Sequence, residues 1–124
     1  MSARKNNLRK YPIVTNGDMT TTITSAVTNI QFLDNIAIQL NFTGTPTGTF
    51  QVQVSVDYAQ DDQGNVQVAG NWIPVLLPQS PVASGSAGFI LIDLNQLASP
   101  WIRLVYVPSG GSGTLNAFIS AKEL

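Results

Sequence analysis

The sequence predicts an all-β fold: a single-domain antiparallel β-sandwich, jelly-roll-like, of about eight strands. The first observation behind this is a hydrophobic period of two. Ile36, Ile38, Leu40 and Phe42 alternate with Ala37, Gln39 and Asn41; Phe50, Val52, Val54, Val56 and Tyr58 alternate with Gln51, Gln53, Ser55 and Asp57. Successive strand side chains point to opposite faces, so each segment carries one apolar and one polar face. The second observation is the return of Gly- and Pro-bearing breaks at 43–48, 60–64, 78–88, 95–100 and 108–113, which punctuate short strands. The third is that no stretch keeps a helical period.

Taken in order, residues 1–10 read as a basic, flexible N-terminal arm and 11–124 as the sandwich. A Thr-rich, β-branched strand is expected at 19–27, then the alternating strands at 35–42 and 49–58. Thr43-Gly44-Thr45-Pro46-Thr47-Gly48 is a turn by composition and predicts a hairpin between those two strands. Further strands are expected at 65–69, 71–77, 87–94, 100–107 and 113–121, with one helical turn at Asn95-Gln96-Leu97-Ala98. Gly110-Gly111-Ser112-Gly113 superficially resembles a phosphate loop, but such a loop opens a helix, whereas a β-like segment follows here. It reads as a hairpin turn.

Two strands break the clean alternation. Phe89-Ile90-Leu91-Ile92 is apolar on both faces, and Trp101 to Val107 nearly so, with Arg103 the exception. A strand apolar on both faces is covered on both sides. Two covers fit: a loop of the same chain, for which 78–88 is the candidate, or another subunit.

Composition excludes much chemistry. The chain has 124 residues, no Cys and no His, so there is no disulfide framework, no Cys/His zinc site, and no Ser-His-Asp or Cys-His nucleophile system. A chain of this length buries roughly two thirds of its unfolded surface, enough for one core. Asp57, Asp61 and Asp62, with Asn65, cluster near one turn and form a weak Ca²⁺ candidate, since that ion takes oxygen ligands. Their spacing departs from the EF-hand pattern, and Asp, Asn and Gly favour turns for backbone reasons alone. No pair of carboxylates is placed for glycoside hydrolysis. The reading is that the protein is not an enzyme and needs no cofactor. Trp72 and Trp101 each open a strand. They pack over a sandwich end, or they stack on sugars.

Charge is unevenly placed. Arg4, Lys5, Arg9 and Lys10 lie in the arm, while residues 11–124 carry Arg103 and Lys122 against seven acids, a net of −5. The arm could be a solvated tail, a contact with another subunit's acidic body, or a phosphate binder. The acidic body, which repels phosphate, argues against nucleic acid as the partner. No apolar run is long enough for a membrane helix or follows the basic start as a secretory signal would. Synthesis in the cytoplasm is expected. Strand 35–42 has no charge and 49–58 only Asp57. Uncharged edges invite pairing with another chain, so a homo-oligomer is expected. Arg4, Lys5, Arg9, Lys10, Trp101, Arg103, Val105 and Val107 are the interface candidates.

Several segments occur together in a familiar order: Thr49 to Tyr58, Gly70-Asn71-Trp72-Ile73-Pro74, Ile92-Asp93-Leu94-Asn95-Gln96, Trp101 to Tyr106, and Gly111 to Ala117. Over about residues 35–121 this pattern resembles small β-rich structural proteins of tailed bacteriophages. The resemblance implies a virion component, such as a capsid decoration or head or tail accessory protein, made in the host cytoplasm and binding protein partners. It brings no catalytic residues. The alternative from another class is a carbohydrate-binding β-sandwich module that recognises a host surface.

Overall fold

The computed structural model describes residues 7–95 and 97–123. Its strands, in chain order, are β1 (Asn7–Asp18), β2 (Ile23–Thr24), β3 (Thr28–Asn29), β4 (Asn35–Gly44), β5 (Thr47–Ser55), β6 (Ala59–Gln60), β7 (Val66–Val68), β8 (Ile73–Pro74), β9 (Val82–Ser84), β10 (Gly88–Asn95), β11 (Trp101–Gly110) and β12 (Gly113–Lys122). One large sheet has the order β1-β12-β4-β10; the second runs β2-β11-β5-β8, with β3 also on β11 and β9 also on β5, and β6 and β7 pair apart from both as a two-stranded sheet. All pairings are antiparallel. The pairs nest: β1 with β12, β2 and β3 with β11, β4 with β10, β5 with β8 and β9. A long antiparallel ribbon rolled in this way is a jelly roll, so the expected fold class holds.

The expected hairpin does not. β4 and β5 lie in opposite sheets, as do β11 and β12, so both turns are arches that carry the chain across the sandwich. Alternation states only that each strand has one buried face. It does not say whether the next strand pairs beside it or faces it across the core. The arches themselves settle the matter. Gly44 has φ +86°, and Pro46 is buried without an N–H to donate. Thr45 N–H donates to the Ser112 carbonyl at 2.8 Å, and Gly85 N–H to that of Pro46 at 2.7 Å. Phe42 and Phe50, which a hairpin would set side by side, meet across the core with ring centroids 5.7 Å apart.

The core follows from the alternating positions. Ile36, Ile38 and Leu40 of β4 and Leu115, Ala117 and Ile119 of β12 face Phe50 and Val52 of β5 and Ile102, Leu104 and Tyr106 of β11. Tyr106 is fully buried, its ring 4.8 Å from Phe50 and its hydroxyl without a partner among the described residues. Burial holds that hydroxyl above its usual pKa. Gly48 makes room for it, because a Cβ there would lie 2.5 Å from the Tyr106 oxygen.

Other boundaries differ from expectation. Residues 7–10, assigned to the arm, form the start of β1 and pair with the end of β12. Short apolar content hid this strand, which the β12 backbone recruits through a bulged register. The strand expected at 19–27 is broken. Ser25 is buried between β2 and β3; its N–H donates to Leu104 O and its Oγ accepts from Leu104 N–H, both at 2.8 Å. A side chain thus stands in for a ladder bond. The short strands β6 and β9 were not expected; Asn95 ends β10, and Leu97 and Ala98 are irregular rather than helical.

Gly44→Ala tests the arch. A Cβ at Gly44 would sit 2.5 Å from Ser112 O in a backbone that L-residues disfavour. A loss of about 1–3 kcal/mol is expected in urea unfolding, with the folded spectrum retained.

Candidate assembly interface

An open strand edge presents unpaired backbone groups, and proteins blunt such edges by shortness, charge, proline or bulges. The two sheets have four sides on which this can be checked. In the second sheet β2 and β3 have two residues each, and β8 and β9 two and three, with Pro74 in β8. In the first sheet β1 carries Arg9, Lys10 and Pro12, and its register on β12 shifts three times, between Leu8 and Tyr11, Pro12 and Val14, and Val14 and Gly17. All of these are blunted edges.

β10 is not blunted. Its eight residues pair one to one with β4, Gly88↔Phe42 through Asn95↔Asn35, without a bulge. It contains no proline, and Asp93 is its one charge. No other described strand pairs its far side. Its inner face supplies Ile92 and Leu94 to the core, while on its outer face Phe89 is 81% and Leu91 66% exposed.

The registers place these two side chains in rows across the sheet. Leu91 stands beside Gln39, Phe118 and Pro12; Phe89 stands beside Asn41 and Asn116. Gln39 Nε2 donates to Asn41 Oδ1 at 3.0 Å, and the Lys10 ammonium lies 4.8 Å from the Phe118 ring centre. The small residues Ala37 and Ser120 leave a shallow depression of about 200 Å³ between Leu91 and Phe118. The face is amide and apolar, with charge only at its margins.

The outer face of β11 has the same apolar pattern but a different fate. The excursion from β5 to β8 folds over it. Trp101 packs edge-on against Tyr58 at 5.0 Å, and Tyr58 touches Trp72 at 5.4 Å. The Arg103 guanidinium lies 4.3 Å over the Trp72 ring, and its Nε donates to Gln53 Oε1 at 2.8 Å. Burial lowers the Arg103 pKa from its usual value. Trp72 Nε1–H donates to the Ala69 carbonyl at 3.2 Å.

The carboxylates near the turn serve this cover. Asp57 accepts hydrogen bonds from Asn71 N–H and Nδ2, both at 2.8 Å, and from Ser55 Oγ at 2.9 Å. Asp61 accepts from the backbone of Gln63 and Asn65 at 2.9 Å, as an Asx turn does. Both are held below the usual carboxylate pKa, chiefly by the Asn71 backbone N–H for Asp57 and the Asn65 backbone N–H for Asp61. Among the described residues no group of three or more His, Cys, Asp or Glu could hold a metal. Asp57, Asp61 and Asp62 are therefore not brought together as a site.

Among the interface candidates from the sequence, Arg4 and Lys5 lie outside the described residues. Arg9 and Lys10 are exposed on β1, and Lys10 joins the sheet face just described. Trp101 and Arg103 are half-buried under the chain's own aromatic cover and Val105 is buried; Val107 is 49% exposed. Segment 78–88, the candidate cover, is tied through β9 to β5 in the other sheet and leaves Phe89 and Leu91 exposed. Phe89 and Leu91 were not among the interface candidates, although the apolar run 89–92 was their signal.

No family model, curated protein or solved structure matches this chain.

The Asp57–Asn71 clamp gives a pH prediction. The folded pKa of Asp57 is lowered, so its contribution is complete above the ordinary value of 3.8 and is lost as pH falls through the lower folded value. Trp72 fluorescence should change in that acidic range. Asp57→Asn should give altered Trp72 emission already at neutral pH and remove that acidic transition.

Proposed function

We propose that the protein is a non-enzymatic structural component of a virion, of the decoration or head or tail accessory kind, which acts by binding copies of itself or a larger protein lattice. The observation that carries this reading is the contrast among edges. Every other outer strand is short, bulged or charged, whereas β10 is regular, nearly uncharged and exposes Phe89 and Leu91. In a chain that works alone, such an edge is an aggregation liability. In an assembling chain it is a contact surface. The sequence resemblance to small phage structural proteins supports the virion setting, and a jelly roll is a frequent capsid module, although fold by itself does not assign function.

The carbohydrate reading has less support. One face of Trp72 is occupied by Arg103 and Trp101 packs edge-on with Tyr58, so each ring already has a partner within the chain.

Light scattering over a range of concentrations tests the proposal. The wild-type chain should give a multiple of 13.3 kDa, and Phe89→Lys with Leu91→Lys should give 13.3 kDa. Both side chains are exposed, so the unfolding free energy of the isolated chain should change by no more than about 0.5 kcal/mol. A wild-type mass of one chain, unchanged at high concentration, would overturn self-association.

A further inference from the structure

The reading above leaves open which partner the β10 edge takes and in what geometry. We propose that two copies pair β10 with β10, antiparallel, about a two-fold axis at Leu91, so that two four-stranded sheets become one continuous sheet. This inference rests on the assembly reading and names its partner.

β10 is a regular strand whose outward edge is unpaired among the described strands. Phe89-Ile90-Leu91-Ile92 is apolar on both faces, so a strand laid along that edge meets apolar side chains above and below the sheet. Such a strand would complete the pairing of the β10 backbone groups. Space exists for it: a cleft of about 440 Å³ lies at this edge, with residues 90–93 on one wall and residues 77–82 on the other. An incoming strand must then be apolar on its core-side face as well as its outer face, and must have a free edge of its own. Among the described strands of this chain, β10 alone meets those conditions. A strand that both offers and needs the same edge is self-complementary, which is what a two-fold interface requires.

Charge and pleat select the register. Residues opposite one another in an antiparallel pair share a face, so inner positions must meet inner positions. A centre at Asp93 would oppose the two carboxylates. A centre at Ile92 sets Asp93 against Leu91 and Phe89 against Asn95. A centre at Ile90 leaves only residues 88–92 overlapping. The centre at Leu91 pairs residues 88–94, sets Leu91 on Leu91 and Ile90 on Ile92, and places Asp93 opposite Phe89 at the wet outer face. The two Asp93 residues are then four positions apart, about 13 Å. On each side the row Leu91–Gln39–Phe118 extends the joined face without a charge until Lys10.

The chain contains no Cys, so single introduced thiols report distances cleanly. A disulfide needs Cβ atoms roughly 3.5–4.5 Å apart. On mild oxidation Leu91→Cys should pass mostly into a covalent dimer. Asp93→Cys alone should stay uncrosslinked, while Asp93→Cys mixed with Phe89→Cys should give the mixed dimer. A chain that scatters as a dimer but cross-links in neither case overturns the edge pairing and leaves association standing. Efficient cross-linking of Asp93→Cys to itself overturns the register. A single-chain mass at all concentrations, with no cross-link, overturns the pairing and self-association together.

Discussion

The chain passes from one sheet to the other at two arches that touch, and this contact sets the rest of the sandwich. Thr45 N–H donates to Ser112 O across them, and Gly111 has its Cα against the Thr45 carbonyl, where no side chain could fit. On one side of the arches the β4·β12 ladder starts at Gly44↔Gly113; on the other the β5·β11 ladder ends at Thr47↔Gly110. One hinge therefore fixes the register of both central pairs. It also fixes which face of each strand is inner, because slipping either ladder by one residue would turn its apolar row to solvent. With β12 on one side of β4, the remaining side goes to β10, and β10 becomes an edge.

That outcome explains the distribution of protective features. Each sheet of an open sandwich has two edges, and blunting them costs pairing or apolar burial. In the second sheet the price is length: β2, β3, β8 and β9 are two or three residues long. In the first sheet β1 is long but interrupted and basic. Nothing comparable occurs in β10. The absence of His and Cys fits the same picture, since such a surface has no group that titrates near neutrality and no thiol to oxidise.

Much of the fold was legible because alternation survives wherever one face is buried. The strands at 35–42, 87–94, 100–107 and 113–121 correspond closely to β4, β10, β11 and β12. What alternation cannot encode is the partner of each strand. Hence the Gly- and Pro-rich turns at 43–48 and 110–113 read as hairpins although they cross between sheets. β1 was missed because its Arg9, Lys10 and Pro12 resemble a solvated tail, and it is a strand through the β12 backbone it pairs with. The candidate surface was half legible. The apolar run 89–92 marked a strand needing cover, but sequence could not say on which side the neighbouring loops would lie.

Loop length decides that last point. The outer faces of β10 and β11 are similarly apolar, yet only β11 is covered by its own chain. Residues 56–72 separate β5 from β8, enough to send Tyr58 and Trp72 over Trp101 and Arg103. Before β10 there are only Gly85, Ser86 and Ala87, and after it residues 96–100 lead to β11 in the opposite sheet. An extended residue spans about 3.3–3.6 Å, so the three residues before β10 reach about 10 Å and are taken up in crossing from β9 to the facing sheet, since packed sheets lie about 10 Å apart. That connection has no slack to fold back over Phe89 and Leu91. Among the described residues, nothing covers them, and their exposure follows from the chain's connectivity.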